Sequence, residues 1–375
     1  MVYFDNAATT PLEPAVLEEM IPYLTQHFGN PSSIHGFGRN ARTAIEKARK
    51  TVANLLNISP SEIFFTSCAT EADNQAIISG VRSLNCKHII TTKLEHHAVL
   101  HSVEFLEKRN EATVTYLTPN TKGHIDLSEL ETSLSQNPNS FVSLMHGNNE
   151  IGNLNDINTI AQLCKANNAF FHSDTVQTMG HYKHDLQQLK SDFIVGSAHK
   201  FHGPKGVGFI YIKGENKITP YINGGSQERN MRGGTENVAG IVGLAKALEL
   251  AYENMDAHRN HITSLKTNMI EKLKAAISGI SFNGDCENIE QSLYTVLSVS
   301  LPPFEDSDML LMNLDINKIA SSGGSACTSG ATEASHVLDA LKTDPNRATV
   351  RFSFSRHNTM EEVDYVVDVL SRQKI

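Results

Sequence analysis

Seven short apolar runs alternate with stretches of helical periodicity between about residues 15 and 250, and this alternation restricts the chain to an α/β architecture. Strands are predicted at 63–65, 88–91, 113–117, 141–145, 170–172, 193–195 and 207–212, and helices at 39–56, 70–83, 97–108, 157–166 and 236–255. Runs such as IFF and FIV carry no polar alternation. That suits strands covered on both faces, so a mostly parallel sheet between helices is expected. Beyond a helix at 258–277 the texture changes. Strands at 295–301, 318–321 and 349–353 alternate with helices at 307–314 and 360–370, as in a smaller α+β domain. A chain of 375 residues is long for one core. The expected division is a large domain at 15–254 and a small one formed by 1–14 with 255–375.

Composition excludes several classes. A net charge of −9 without a long basic run argues against direct nucleic-acid binding. No apolar stretch reaches membrane-spanning length, so no membrane partner is expected. The N-terminal MVYFDNAATTPLEP lacks the basic and apolar regions of a secretory signal. Five dispersed cysteines without a CxxC pair suit a reducing cytoplasm. Seventeen histidines include no HExxH, and no metal site is expected.

The segment SDFIVGSAHKFHGPKGVGFIYI carries the most chemistry. It places Lys200 where a buried strand ends in a Gly-flanked loop. An amine there can be desolvated and its pKa lowered, as a Schiff-base lysine requires. Asp174 ends the preceding strand, where ligands gather in open α/β sheets. A carboxylate in that position can keep a pyridinium nitrogen protonated, and Gln177 can donate to a ring oxygen. Read alone, Asp174 also has a lesser reading as the N-cap of the next segment. In SEIFFTSCATEADNQAI, a strand, a small-residue turn and a helix start form an anion site, because free N–H groups and the helix dipole face outward. Ala69 and Thr70 are candidates for a monophosphate cradle, closed by Ser197 and His199. A hydroxyl-rich helix cap would read the same way. No Walker lysine or GxGxxG is present. Finally, KIASSGGSACTSG sets Cys327 in a run too small and polar to bury itself, so a mobile loop at about 321–332 is expected. An accessible cysteine meets one requirement for a nucleophile or sulfur carrier.

These segments, with YFDNAATTP, FGNPSS, EHHAV, HGNNEIG, SDTVQ, MRGGTEN, GSACTSG and VRFSFSR, run nearly end to end. Together they resemble the NifS/IscS group of cysteine desulfurases within the class-V pyridoxal-phosphate aminotransferase family. The resemblance implies the type I fold of pyridoxal-phosphate transferases, with pyridoxal 5′-phosphate as cofactor. It implies that L-cysteine is converted to L-alanine and that Cys327 receives the sulfur as a persulfide. It assigns Lys200 to cofactor attachment and proton transfer, Asp174 to the ring nitrogen, Gln177 to the ring hydroxyl and His96 to stacking and acid–base steps. Ala69, Thr70, Ser197 and His199 would hold the phosphate, with Thr235 reaching it from the other subunit of a homodimer. Asn149 and Arg351 would grip the substrate carboxylate. A lone His-His pair opening a helix, as at His96, would otherwise pass as a cap, and Arg351 as an edge charge.

Three departures stand out: Gly323 where serine is common, Ala334 where proline is common, and Cys68 in place of a frequent glycine. The first two would loosen the Cys327 loop, and the third either crowds the phosphate turn or packs against it. Set against the resemblance, the sequence up to Ile375 is expected to lack the longer tail that some members use to dock a scaffold. The sulfur acceptor is therefore left open between an iron–sulfur scaffold and a thiolation enzyme. The rival readings are a selenocysteine lyase, another class-V aminotransferase and a non-catalytic sulfur-relay platform.

Overall fold

The computed structural model describes residues 1–323 and 335–373. Cys327 and Ala334 lie outside the described residues. The strands are β1 (Val2–Tyr3), β2 (Ile63–Thr66), β3 (His88–Thr92), β4 (Thr113–Leu117), β5 (Phe141–Ser143), β6 (Phe170–Asp174), β7 (Phe193–Ser197), β8 (Gly208–Ile212), β9 (Ser281–Phe282), β10 (Val296–Ser300), β11 (Ile319–Ala320) and β12 (Thr349–Ser353). A seven-stranded sheet has the order β2-β8-β7-β6-β5-β3-β4. Its neighbours are parallel except on either side of β8, which runs against both β7 and β2. The reason is chain length. A parallel crossover takes about a dozen residues or more, and the link between β7 and β8 spans only 198–207. The chain therefore turns straight back, and Lys200 sits in that turn.

Both faces of the sheet are covered. Along β7, Phe193 and Val195 enter one apolar core while Ile194 enters the other. The alternation follows from the two-residue period of a strand. One face packs against helices Gly36–Leu55, Ile157–Ala166 and Val238–Glu253. The other packs against His97–Lys108 and a helix that begins as Ala69–Asn74, passes through a π-helical stretch (Gln75–Ser79) and ends as Gly80–Ser83. Gly80 lets that helix approach closely, since an added Cβ would lie 2.9 Å from the Phe141 ring.

The smaller α+β domain holds an antiparallel sheet of order β12-β10-β9 and a parallel β1–β11 pair. Its core joins Phe4 to residues of helices Met255–Ala276 and Met360–Ser371 and of strands β10 and β12. Among the described residues, three α-helices lie outside the predicted spans: Pro14–Thr25, Leu127–Gln136 and the short His336–Ala340. The first carries Pro22 in its interior, which masks the pattern. The second is largely polar between turn-forming flanks. Among the described residues, no helix is long and apolar enough to cross a membrane.

Candidate active site

A cavity of about 270 Å³ opens where β2, β5, β6 and β7 end, so the sheet delivers its side chains from several carboxyl termini at once. Lys200 closes the short turn Ala198–Lys200 after β7. Its Nζ donates to the carbonyl oxygens of Ala7 (2.5 Å) and Ala8 (2.9 Å). The N-terminal segment is stitched to the same turn. Thr10 N–H and its hydroxyl both donate to the His199 carbonyl (2.9 Å each), and Glu13 N–H donates to that of His202 (3.0 Å). Gln177 Nε2 also donates to Ala7 O, at 3.1 Å.

Asp174 is buried at the end of β6, where its Oδ1 accepts from Val176 N–H at 2.9 Å. Burial pushes this carboxyl above its ordinary range, against the Val176 hydrogen bond and the Lys200 charge. A cation placed beside it would restore its ionised form. The protonated ring nitrogen of pyridoxal phosphate is such a cation. At the phosphate end, Cys68 is the N-cap of the helix starting at Ala69 but makes no side-chain cap bond. Cys68, Ala69 and Thr70 line the cavity at this uncapped helix start. A buried carboxyl that a neighbouring cation would ionise at one end and an uncapped helix start at the other fit the cofactor's two charges.

His96 both caps helix His97–Lys108 and lines the cavity. Its Nδ1 accepts from Ala98 N–H at 3.1 Å, which leaves the proton on Nε2. Burial, then Lys200 and neighbouring histidines, push its pKa down to about 4, so the ring is neutral. His199 is likewise pushed down to about 4 by burial and by Lys200 and Lys205, and its Nδ1 lies 3.2 Å from Thr9 Oγ1. Ser197, the last residue of β7, is buried against the cavity.

Arg351 on β12 is 1% exposed. Its Nη1 donates to the Asn149 carbonyl (2.8 Å) and its Nη2 to Asp5 Oδ1 (3.0 Å), which fixes the guanidinium at the cavity wall. Asn149 lines the same wall. Thr235 is the exception among the described candidates: it is exposed and does not line this cavity.

Several lining residues escaped sequence reading. Ala7 and Ala8 contribute only backbone oxygens, which leave no trace in residue type. Asp73 is buried, 3.3 Å from His172 Nε2, and His172 Nδ1 lies 2.9 Å from Ser143 Oγ. Burial, followed by Asp174 and Glu95, drives the Asp73 carboxyl well up, while burial drives His172 down to about 3. With the His172 ring neutral, the contact is not an ion pair. His336 lines the cavity and its Nε2 lies 2.9 Å from the Glu95 carbonyl.

The family model described as aminotransferase class-V matches residues 2–366. The chain is 43% identical to a protein named cysteine desulfurase IscS from Dictyoglomus turgidum, over 99% of this chain and 94% of the relative. A solved structure titled NIFS-like protein superposes with a TM-score of 0.90 at 38% identity, covering 99% of this chain and 98% of that one. A structure titled SspA in complex with cysteine gives 0.81 at 32% identity, covering 96% and 100%.

Proposed function

The chain belongs to the class-V aminotransferase family, among its cysteine desulfurases, and we propose how its residues divide the work. It is a pyridoxal-phosphate-dependent enzyme that removes sulfur from L-cysteine and leaves L-alanine. The bound cofactor supplies an electron sink for the carbanion at the substrate's α-carbon. The residues supply everything else. Lys200 would hold the cofactor through Nζ, and the same atom would take the α-proton of L-cysteine. Asp174 would hold the ring nitrogen and stay ionised beside it, and Gln177 would hold the ring oxygen. His96, neutral with its proton on Nε2, would lie against the ring and would serve the acid–base steps through that proton. The N–H groups of Ala69 and Thr70, with Ser197 and His199, hold the phosphate. Arg351 and Asn149 orient the substrate carboxylate, a planar fork being suited to that group.

The Cys327 thiolate attacks the substrate sulfur. The C–S bond breaks with its electron pair going to carbon, and Cys327 keeps the sulfur as a persulfide. We place Thr235 at the phosphate of a second copy, which makes the working unit a homodimer. The exposure of Thr235 in the single chain supports this. The two apolar cores support a large unit at 15–254 and a small one at 1–14 with 255–375. The next acceptor is a protein, an iron–sulfur scaffold or a thiolation enzyme, and dispersed free cysteines support a cytoplasmic setting.

The observation that carries this division is the convergence of Lys200, Asp174 and His96 on one cavity. Borohydride reduction of the loaded enzyme followed by peptide mapping tests it. The cofactor mass is expected on the Lys200 peptide and is expected to vanish in Lys200→Ala. Label on another lysine in the native enzyme would overturn the assignment.

A further inference from the structure

A second cluster of ligating groups lies beside the Lys200 turn and takes no part in the chemistry above. One donor atom each from Glu13, His202 and His357 lies within 4.8 Å of the other two. Three separate segments supply them: the start of helix Pro14–Thr25, the turn after β7 and the chain leaving β12. His202 is buried, and its Nδ1 lies 3.0 Å from the Pro11 carbonyl oxygen. A carbonyl only accepts, so Nδ1 carries the proton and Nε2 presents a lone pair. An outer hydrogen bond of this kind is how proteins orient metal-ligating imidazoles. His357 Nε2 lies 3.6 Å from Glu13 Oε2, and its ring meets that of His202 edge-on at 5.0 Å. Donors about 2.0–2.1 Å from a tetrahedral zinc ion stand roughly 3.4 Å apart. The His357–Glu13 pair is already close to that spacing. His357 is half exposed, which gives an ion a route in.

We propose that Glu13, His202 and His357 form a divalent-cation site of the zinc class, with water in the fourth position. Two imidazoles and a carboxylate are a recurrent zinc ligand set. Arg356 is the competing cation, since its Nη2 rests on the Glu13 carboxylate. Metal entry therefore exchanges Arg356 for the ion on Glu13. An occupied site would tie the chain after β12 to the turn that carries Lys200, through His202 and Glu13. Sequence reading gave no hint of it, because ligands at positions 13, 202 and 357 have no motif spacing.

Equilibrium dialysis of chelator-treated holoenzyme against zinc at neutral pH tests the site, with cobalt(II) as a visible-band probe. One ion per chain is expected, with nitrogen–oxygen cobalt bands and no thiolate charge transfer. His357→Ala should weaken zinc on the order of tenfold or more. Arg356→Met should tighten it severalfold by removing the competitor. Cofactor absorbance should be unchanged in both. No zinc retained at a hundredfold excess, thiolate bands with cobalt, or equal retention by His357→Ala would each overturn the site. Unchanged affinity in Arg356→Met would overturn the exchange.

Discussion

Removing the Glu228 carboxylate should be among the most damaging single changes outside the cavity. Arg49 is 0% exposed and Glu228 1% exposed. They meet through two parallel bonds, Nη1 to Oε2 at 2.7 Å and Nη2 to Oε1 at 2.8 Å. Glu228 Oε2 also accepts from Phe65 N–H (2.8 Å), and Arg49 Nη1 donates to the Ile63 carbonyl (2.9 Å). The pair thus pins β2, the strand that runs into the phosphate turn. It also holds Glu228, Arg229 and Asn230, three consecutive residues at positive φ (43°, 54° and 65°). That loop continues to Arg232, which bonds Glu71, and Glu71 Oε2 in turn accepts from Ser67 N–H (2.9 Å). Glu228→Ala strips the buried guanidinium of its two-bond partner and leaves it only Glu46 Oε2, 3.2 Å from Nε, which costs about 3–5 kcal/mol. That is a large part of a typical stability of about 5–15 kcal/mol. The charge-free pair Arg49→Met with Glu228→Leu should recover most of the loss, because replacing both partners leaves no buried guanidinium short of its carboxylate. Urea unfolding followed by circular dichroism, beside cofactor titration, reads both effects. A loss below about 1 kcal/mol in Glu228→Ala, or a double variant no better than the single one, would refute the reasoning.

Other expectations are smaller or more local. Gly208→Ala places a Cβ 2.7 Å from Gly196 O and 2.9 Å from the Cys68 carbonyl carbon. It should cost about 1–3 kcal/mol and weaken cofactor binding, read by fluorescence titration. Unaltered affinity would show that the cradle yields freely. Arg351→Lys loses the fork that spans Asn149 O and Asp5, so KM for L-cysteine should rise on the order of tenfold or more. Cofactor absorbance should not change, and an unchanged KM would remove Arg351 from the substrate site. Burial pushes His184 down to about 4. Between its unfolded value near 6.5 and that folded value, only the unfolded chain binds the proton. Stability should therefore fall as pH drops through that window, by up to about 3 kcal/mol for this group. His184→Gln should flatten the dependence of Tm between pH 7 and 5, and an equal slope in both proteins would count against it.

Much of the large sheet was legible, because strands buried on both faces announce themselves as apolar runs. The strand at β4 matched its expected span, and most others differed only at their ends. Lys200 and Asp174 were singled out by contiguous segments that set them at strand ends, and they line one cavity, whereas His96 read alone passed as a helix cap and was singled out only by the resemblance. What stayed hidden depends on contacts far apart in sequence. The Lys200 amine meets the carbonyls of Ala7 and Ala8, and Arg351 meets Asp5, across most of the chain. Neither carbonyls nor the pairing of Asp73 with His172 leave a periodic signature. The helix at Pro14–Thr25 was hidden by Pro22, which the helix tolerates within a segment packed against Val238–Glu253.

The most direct test of the central claim is single-turnover incubation of the enzyme with L-cysteine in thiol-free buffer, followed by peptide mass spectrometry and alanine measurement. One added sulfur on the Cys327 peptide is expected for each alanine formed, and neither product is expected from Cys327→Ser. Alanine formed at the native rate by Cys327→Ser, or sulfur carried on a different cysteine, would contradict the account.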